Sequence, residues 1–399
     1  MSIPPIAALE IGTTTTVCLV GEVGPSDQIR IVGKGVYPST GVHKGQVVDM
    51  QHARSGVEMA VKQASEESQI DIGRVIMAVN GGGVEAVRNQ ASVQVLARNR
   101  IVSRDDVDEV TERVKEYPIA DDRILLHTIS QNFTLDGQGG IVKPVGLQGA
   151  QLVLGMLLVH AKRGPVENLR AVAVSEELDV DDMVFGGLCS ALAVLTQDQK
   201  RSGAAVIDLG GGTTSYFAYA GNVVAAAGSI AVGGEHVTND LSLAFNIPQT
   251  RAEEIKIANG RATISADTGL KRLQIPNEYG KGDQSISLKA MHTVINARMA
   301  ETLRIVRARL AEADVLPRLG AGIVFTGGGA EMEDICELGR SIFGVPCSVG
   351  VPLISGPALE GMRSLAPLAT AIGLLKYGAL AQRETSAKGF FGRIFSHER

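Results

Sequence analysis

The amino-acid sequence predicts an α/β fold, and three glycine-rich loops are the first observation behind this prediction. Glycine triplets at 81–83, 210–212 and 327–329 each follow a short run of apolar residues. A buried strand that ends in a tight loop gives this pattern. Helical stretches alternate with these strands, which favours α/β architecture over a β-sandwich or a helix bundle.

Three of the helical stretches have clear bounds in the sequence. Residues 52–68 are amphipathic, and a second helix is expected over 105–116, with Ser103 as its N-cap. A long basic amphipathic helix is expected over 288–313, ending before Pro317.

The composition sets the class of protein. The chain has 399 residues, 45% hydrophobic and 20% charged, as expected for a globular protein with room for two domains. A net charge of −5 gives no basic surface, so we expect no nucleic-acid partner. The four scattered cysteines favour buried thiols over a metal site or a disulfide framework. With neither a positive leader nor an apolar run near the roughly 18–20 residues that span a bilayer, a cytoplasmic location is expected.

Two of the loops share more than glycine. AALEIGTTTTVCLV (7–20) and AAVIDLGGGTTSYFAYA (204–220) both contain a strand, an acidic residue, an apolar residue, Gly, Thr-Thr and a second strand. They lie about 198 residues apart, half the chain. Either loop alone is also explained by a plain β-turn. Together they suggest two similar halves that place two phosphate-binding hairpins and two carboxylates around one anion.

The two acidic-Gly-Thr hairpins and the later TGGG loop resemble the actin-like ATPase superfamily, and within it the bacterial cell-division family FtsA. The first hairpin is similar to that family's opening segment, and the resemblance runs from about residue 7 to 376. Further similar blocks occur in the family's order: GIVKPVGLQGAQL (140–152), GGLCSALAVLTQDQKRSGAAVIDLGGGTT (186–214), AGSIAVGGEHVTNDLSLAFNIPQTRAEEIKIANG (227–260) and IVFTGGGAEMEDICELGRSIFGVPC (323–347).

The resemblance implies an actin-like two-lobe fold, with duplicated sheet-and-helix cores around a nucleotide cleft. It also implies an inserted subdomain that distinguishes FtsA from actin. The expected divisions are 1–84 (start of the first lobe), 85–165 (insert), 166–200 (end of the first lobe), 201–376 (second lobe, with a smaller subdomain at about 235–310), 377–388 (linker) and 389–399 (amphipathic tail).

The implied cofactors are ATP and Mg²⁺. Backbone N–H groups of the two hairpins would hold the phosphates, because glycine lets the backbone approach an anion closely. Glu10 and Asp208 would hold Mg²⁺ through water. The hairpin residues proposed to bind the nucleotide are Gly12, Thr13, Thr14, Thr15, Gly210, Gly211, Gly212, Thr213 and Thr214.

The resemblance also assigns residues to the nucleoside. Gly327, Gly328 and Gly329 would line the ribose and α-phosphate. Glu253 and Lys256 would contact the adenosine, although the same pair also fits a solvated helix face.

Three residues depart from the family's pattern. Glu10 stands where Asp is usual, and Thr15 stands where Lys is often found. Gly186 occupies the position where actin-like ATPases that hydrolyse well place a Glu or Gln to orient water. We therefore expect nucleotide binding with slow or undetectable hydrolysis and assign no catalytic residue.

The chain ends in SAKGFFGRIFSHER (386–399). On a helix, four large apolar residues of this tail fall on one arc with basic residues at its flanks, which suits an interfacial membrane helix. The alternative is a tail that packs on its own domain or on another protein. The proposed membrane residues are Lys388, Phe390, Phe391, Arg393, Ile394 and Phe395.

By resemblance, the expected function is a membrane-tethered scaffold that binds ATP, polymerises and anchors FtsZ filaments. It would act at the division site, on the cytoplasmic face of the inner membrane. Its expected partners are the FtsZ C-terminal tail, further copies of itself, anionic lipid and, through the insert, other division proteins. A PilM-like pilus-assembly adaptor and a sugar or acetate kinase of the same fold remain as alternatives.

Overall fold

The computed structural model describes residues 4–24, 28–81, 83–265, 271–275 and 284–386. The strands in these ranges are β1 (Ile6–Ile11), β2 (Thr15–Val23), β3 (Ile29–Pro38), β4 (Val42–His43), β5 (Gln46–Val47), β6 (Arg74–Val79), β7 (Glu85–Gln94), β8 (Arg123–Leu135), β9 (Gln138–Ile141), β10 (Gln151–Lys162), β11 (Asp179–Phe185), β12 (Ala204–Leu209), β13 (Thr214–Ala220), β14 (Val223–Ile230), β15 (Arg272–Ile275), β16 (Gln284–Ser287), β17 (Gly322–Thr326) and β18 (Cys347–Val349).

The α-helices in the same ranges pack on both sheets. They are α1 (Met50–Ser68), α2 (Arg104–Lys115), α3 (Arg163–Val174), α4 (Gly186–Val194), α5 (Gln197–Ser202), α6 (Gly234–Phe245), α7 (Gln249–Asn259), α8 (Leu288–Glu312), α9 (Ile335–Phe343) and α10 (Ala369–Ser386). None of these helices is both long and apolar enough to cross a lipid bilayer.

The two halves of the chain build the same sheet. In the first, β1, β2 and β3 form an antiparallel meander, while β6 lies parallel to β1 and β11 parallel to β6. In the second, β12, β13 and β14 form the meander, while β17 and β18 add in parallel on the other side. The predicted duplicated α/β core is confirmed.

Strands β7 to β10 extend the second sheet beyond β14. The strand pairing at the junction is a single residue pair, Gly228 opposite Glu85. Strands β7, β8 and β10 pair along their length and enclose a core of their own with α2. This extension corresponds to the insert that the sequence predicts.

The predicted helices are confirmed as α1, α2 and α8. Ser103 caps α2 as expected: its hydroxyl accepts the Asp106 N–H, and the Asp106 carboxylate accepts the Ser103 N–H. Asp49 caps α1 and Ser287 caps α8 in the same way, through N–H groups of their first turns. Such caps satisfy backbone donors that the helix leaves unpaired.

Helix α10 packs against α4 and against β1, β2 and β6 of the first sheet. Its crossing with α4 is close: a Cβ built on Gly373 would lie 1.9 Å from the carbonyl oxygen of Cys189. The sequence places a lobe boundary at 376 and a linker over 377–388, whereas α10 continues to Ser386 and buries Tyr377, whose hydroxyl donates to Asp182 of β11. The apolar face of α10 explains this difference, because it covers the first sheet.

Candidate functional site

The two predicted hairpins have the same local geometry. The Gly12 N–H donates to the Thr15 carbonyl oxygen at 3.0 Å, and the Gly210 N–H donates to the Thr213 carbonyl oxygen at 3.0 Å. In both loops a Cβ on the glycine would meet that same carbonyl oxygen, at 2.7 Å and 2.9 Å. Glycine is therefore required at the same point of each turn, as the sequence repeat suggested.

The structure brings the two hairpins into direct contact. A Cβ on Gly211 would lie 2.4 Å from Thr14 Cγ2, and a Cβ on Gly212 would lie 2.2 Å from Thr13 Oγ1. The Thr13 hydroxyl also accepts the Gly45 N–H at 3.0 Å, which fixes the first loop to the β4–β5 turn. Any side chain at position 211 or 212 would therefore push the loops apart.

Two carboxylates lie beside the hairpins, Glu10 near the end of β1 and Asp208 near the end of β12. Asp208 Oδ2 accepts a hydrogen bond from the Ser190 hydroxyl, and a second from Thr370 Oγ1 at 2.9 Å. Glu10 Oε1 accepts from Asn80 Nδ2 at 2.9 Å, and Glu10 also hydrogen-bonds Thr370. Thr370 of α10 therefore contacts carboxylates from both halves of the chain.

Burial of the two carboxylates shifts their protonation. Burial, together with the negative charge of Asp208, raises the pKa of Glu10 to about 8 despite its hydrogen bonds to Asn80 and Thr370. Burial also raises the pKa of Asp208, against the hydrogen bonds from Ser190 and Thr370. Two neighbouring carboxylates of this kind are the donor set that suits a hard divalent cation.

The third glycine loop, residues 327–329, follows β17 and lies beside Asp208. Gly327 has a φ of +80°, and a Cβ there would lie 2.2 Å from Asp208 Oδ1. Gly329 lies against Leu209, while a Cβ on Gly328 would meet no atom within 4 Å. Gly328 therefore leaves an open surface next to the carboxylates.

Glu253 and Lys256 lie beside the second hairpin. Lys256 Nζ donates to Glu253 Oε2 at 2.6 Å and to the Gly234 carbonyl oxygen at 3.2 Å. Gly234 is the first residue of α6, and its N–H donates to the Gly210 carbonyl oxygen at 2.9 Å. The Lys256 side chain is only 11% exposed, so this pair is not on a fully solvated face, and its contact with a nucleoside stays a prediction.

Two of the proposed residues are less available to a ligand. Thr214 is completely buried in the sheet, and its hydroxyl donates to the Val232 carbonyl oxygen at 2.8 Å. Thr15 is exposed as the first residue of β2, but its carbonyl oxygen closes the hairpin. The six proposed membrane residues, Lys388, Phe390, Phe391, Arg393, Ile394 and Phe395, lie outside the described residues.

Sequence reasoning missed Asn80, Ser190 and Thr370, which hold the carboxylates. Ser190 lies among apolar residues of α4, and Thr370 lies in the apolar first turns of α10; they are 0% and 3% exposed. Asn80 stands between a strand and a glycine triplet that received no role. A lone buried hydroxyl or amide among apolar residues was the available signal, because buried polar groups need partners.

A duplicated sheet with facing hairpins and paired carboxylates defines an actin-like ATPase fold. Solved structures of this fold are similar to the chain over nearly its whole length. The PilM–PilN type IV pilus biogenesis complex matches with a TM-score of 0.62 at 15% identity, covering 94% of this chain and 98% of that one. MreB5 of Spiroplasma citri bound to ADP matches with a TM-score of 0.59 at 14% identity, covering 96% and 98%.

The chain belongs to the FtsA family. The sequence model described as cell division protein FtsA matches residues 205–373, and that of the SHS2 domain inserted in FtsA matches residues 81–160. Cell division protein FtsA of Pseudomonas aeruginosa is 30% identical over 394 residues, covering 98% of this chain and 94% of that protein. FtsA of Escherichia coli K12 is 31% identical over 383 residues, covering 94% and 90%.

Proposed function

We propose that the chain binds ATP with Mg²⁺ between its two hairpins. The observation that carries this proposal is the pair of matched hairpins, each with a carboxylate two residues before its glycine, in contact with each other. Free backbone N–H groups of such turns favour phosphate oxygens. The same fold holds ADP in MreB5, which supports a nucleotide as the ligand.

The residues present fit the cation as well as the phosphates. Within the described ranges, no three His, Cys, Asp or Glu side chains form a possible metal cluster. Mg²⁺ usually takes one or two carboxylates and completes its shell with phosphate and water. Glu10 and Asp208 supply those two carboxylates, and a cation would favour the ionised form of Glu10, whose pKa is raised by burial and by the charge of Asp208.

The proposal includes slow or undetectable hydrolysis of the bound ATP. A Cβ on Gly186 would lie 1.7 Å from Asn80 Oδ1, so the amide of Asn80 fills the space that a longer side chain would need. Asn80 is itself held by Glu10. The position where relatives place a water-orienting Glu or Gln is therefore glycine and is enclosed.

Membership of the FtsA family supports a role in cell division. We place this role in a membrane-tethered, ATP-binding filament that binds the C-terminal tail of FtsZ through the second lobe, near α8. The segment 85–165 would serve as the subdomain for self-assembly and for other division proteins. The tail 389–399 would bind anionic lipid at the cytoplasmic face of the inner membrane, following α10 and a short connector.

Reconstitution with vesicles and FtsZ polymers tests the scaffold role. Anionic vesicles should pellet FtsZ only when the full chain is present. A variant with Phe390, Phe391 and Phe395 changed to Ser should lose at least about tenfold in vesicle binding, because interfacial binding scales with buried apolar area. His397→Ala is the matched tail control. Unchanged vesicle binding by the triple variant, or failure of the full chain to recruit FtsZ, would refute the scaffold role.

A further inference from the structure

A cavity lies where α10 crosses the end of α4, away from the hairpins. Its volume is about 640 Å³, within the range of pockets that hold small molecules. The lining combines apolar side chains with the cationic side chains of Lys200, Lys376 and Arg383. The apolar residues are Ile29, Leu192, Leu195, Leu353, Ile354 and Leu380.

Lys200 is a largely buried cationic residue of this cavity. It lines the cavity, yet it is only 9% exposed, and its ammonium group lies over the Tyr219 ring at 5.4 Å from the centroid. No ion pair or hydrogen bond of its ammonium group to a described residue is found. A largely buried ammonium group is costly to keep charged, and no described acidic side chain offsets its charge, which points to an anionic ligand.

Lys376 adds a second positive charge to the same cavity. Its ammonium group donates to the carbonyl oxygens of Leu192 and Ala193, at 3.3 Å and 3.1 Å, at the C-terminal end of α4. Burial lowers the pKa of both lysines, and Lys376 lowers that of Lys200 further. Both lysines therefore contribute positive charge to the lining of the same cavity.

We propose that this cavity binds a single anionic amphiphile, a molecule with a phosphate or carboxylate head and a short apolar body. The head would lie between Lys200 and Lys376, and the body would lie along the leucine and isoleucine side chains. Because Lys200 is nine-tenths buried, a headgroup in the plane of a bilayer would not reach it. The chain's own tail is a poor occupant, since Lys388, Arg393 and Arg399 outnumber its one acid, Glu398.

Calorimetric titration of the full chain with monomeric dihexanoyl phosphatidic acid tests the proposal. One molecule should bind per chain, at least about tenfold more tightly than dihexanoyl phosphatidylcholine or inorganic phosphate. Lys200→Met and Lys376→Met should each weaken binding about tenfold or more. Lys62→Met, on the surface of α1 and away from the cavity, is the matched control and should leave the affinity unchanged.

Leu353→Asp keeps the test independent of the buried lysines. Leu353 is 87% exposed, so the added charge at the rim should repel the anionic head without disturbing the fold. A tenfold loss of phosphatidic acid binding in this variant would support the cavity as the site. Absence of binding, unchanged binding in all three cavity variants, or equal affinity for inorganic phosphate would overturn the proposal.

Discussion

Thr370 donates a hydrogen bond of 2.9 Å to Asp208, and this contact joins the second sheet to a helix that packs on the first. The same hydroxyl lies 3.0 Å from that of Ser190, in the helix α4 that α10 crosses. The crossing at Gly373 therefore positions the groups that hold the carboxylates. The geometry of the candidate site depends on how closely the two helices pack.

Gly373→Ala should destabilise the protein strongly. The new methyl group would lie 1.9 Å from the Cys189 carbonyl oxygen, and backbone atoms of two packed helices have little room to move. Overpacking of this kind costs about 1–3 kcal/mol, and we expect the upper end of that range in urea denaturation. Gly164→Ala in α3 is the matched control, because its methyl group would meet no atom within 4 Å. Equal stability of the two variants would contradict the close crossing.

Gly212→Ala should weaken ATP binding by at least about tenfold. The added methyl group would lie 2.2 Å from Thr13 Oγ1, so the two hairpins would have to separate. Misplaced N–H donors lose their alignment with phosphate oxygens, and hydrogen bonds to charged groups are worth about 1.5–3 kcal/mol each. Fluorescent nucleotide titration measures this effect, with Gly73→Ala as a control at a site where a methyl group meets nothing. A normal affinity in Gly212→Ala would place the phosphates elsewhere.

The stability of the protein without divalent cations should fall as pH rises from about 4.5 to about 8. Over this range the unfolded chain releases the Glu10 proton, whereas the folded chain keeps it, because the folded pKa is raised to about 8. Ionisation therefore favours the unfolded state. Glu10→Gln removes this titrating group. Between pH 5 and 8 the free energy of unfolding of the wild type should therefore fall by roughly 1 kcal/mol or more relative to that of the variant. Thermal melts in chelator measure the difference, and parallel pH curves for both proteins would contradict the assignment.

ATP turnover by the purified full chain should fall well below the roughly 1–10³ per second typical of enzymes. Gly186 offers no side chain to orient water, and Asn80 fills the adjacent space. A coupled phosphate-release assay measures the rate, with and without vesicles. Turnover of several molecules per second would show that another group orients the water.

Much of the fold was predictable because its signals are local. Glu10, Gly12 and Thr15 lie within six residues, and the same spacing recurs at Asp208, Gly210 and Thr213. A strand followed by glycine predicts a short turn, because the geometry of such a turn depends on the backbone of its own few residues. The duplication of the two sheets followed directly from that repeat.

The partners of the carboxylates were not predictable in this way. Asn80 lies 70 residues from Glu10, and Thr370 lies 162 residues from Asp208. The parallel pairing of β1 and β6 brings Asn80 to Glu10, and the crossing of α4 and α10 brings Thr370 to Ser190 and Asp208. Both depend on packing between distant segments. The same reason explains why the boundary at 376 differs from the structure, since the assignment of α10 to a lobe depends on which sheet it covers.

The most direct test of the nucleotide site is calorimetric titration of ATP into wild type and Asp208→Ala, with and without Mg²⁺. Asp198→Ala, an exposed acid on α5, serves as the matched control. We expect Mg²⁺-dependent binding by wild type and Asp198→Ala, and a loss of at least about tenfold in Asp208→Ala. Unchanged ATP affinity in Asp208→Ala, or an ATP affinity that is the same with and without Mg²⁺, would contradict a nucleotide site between the two hairpins.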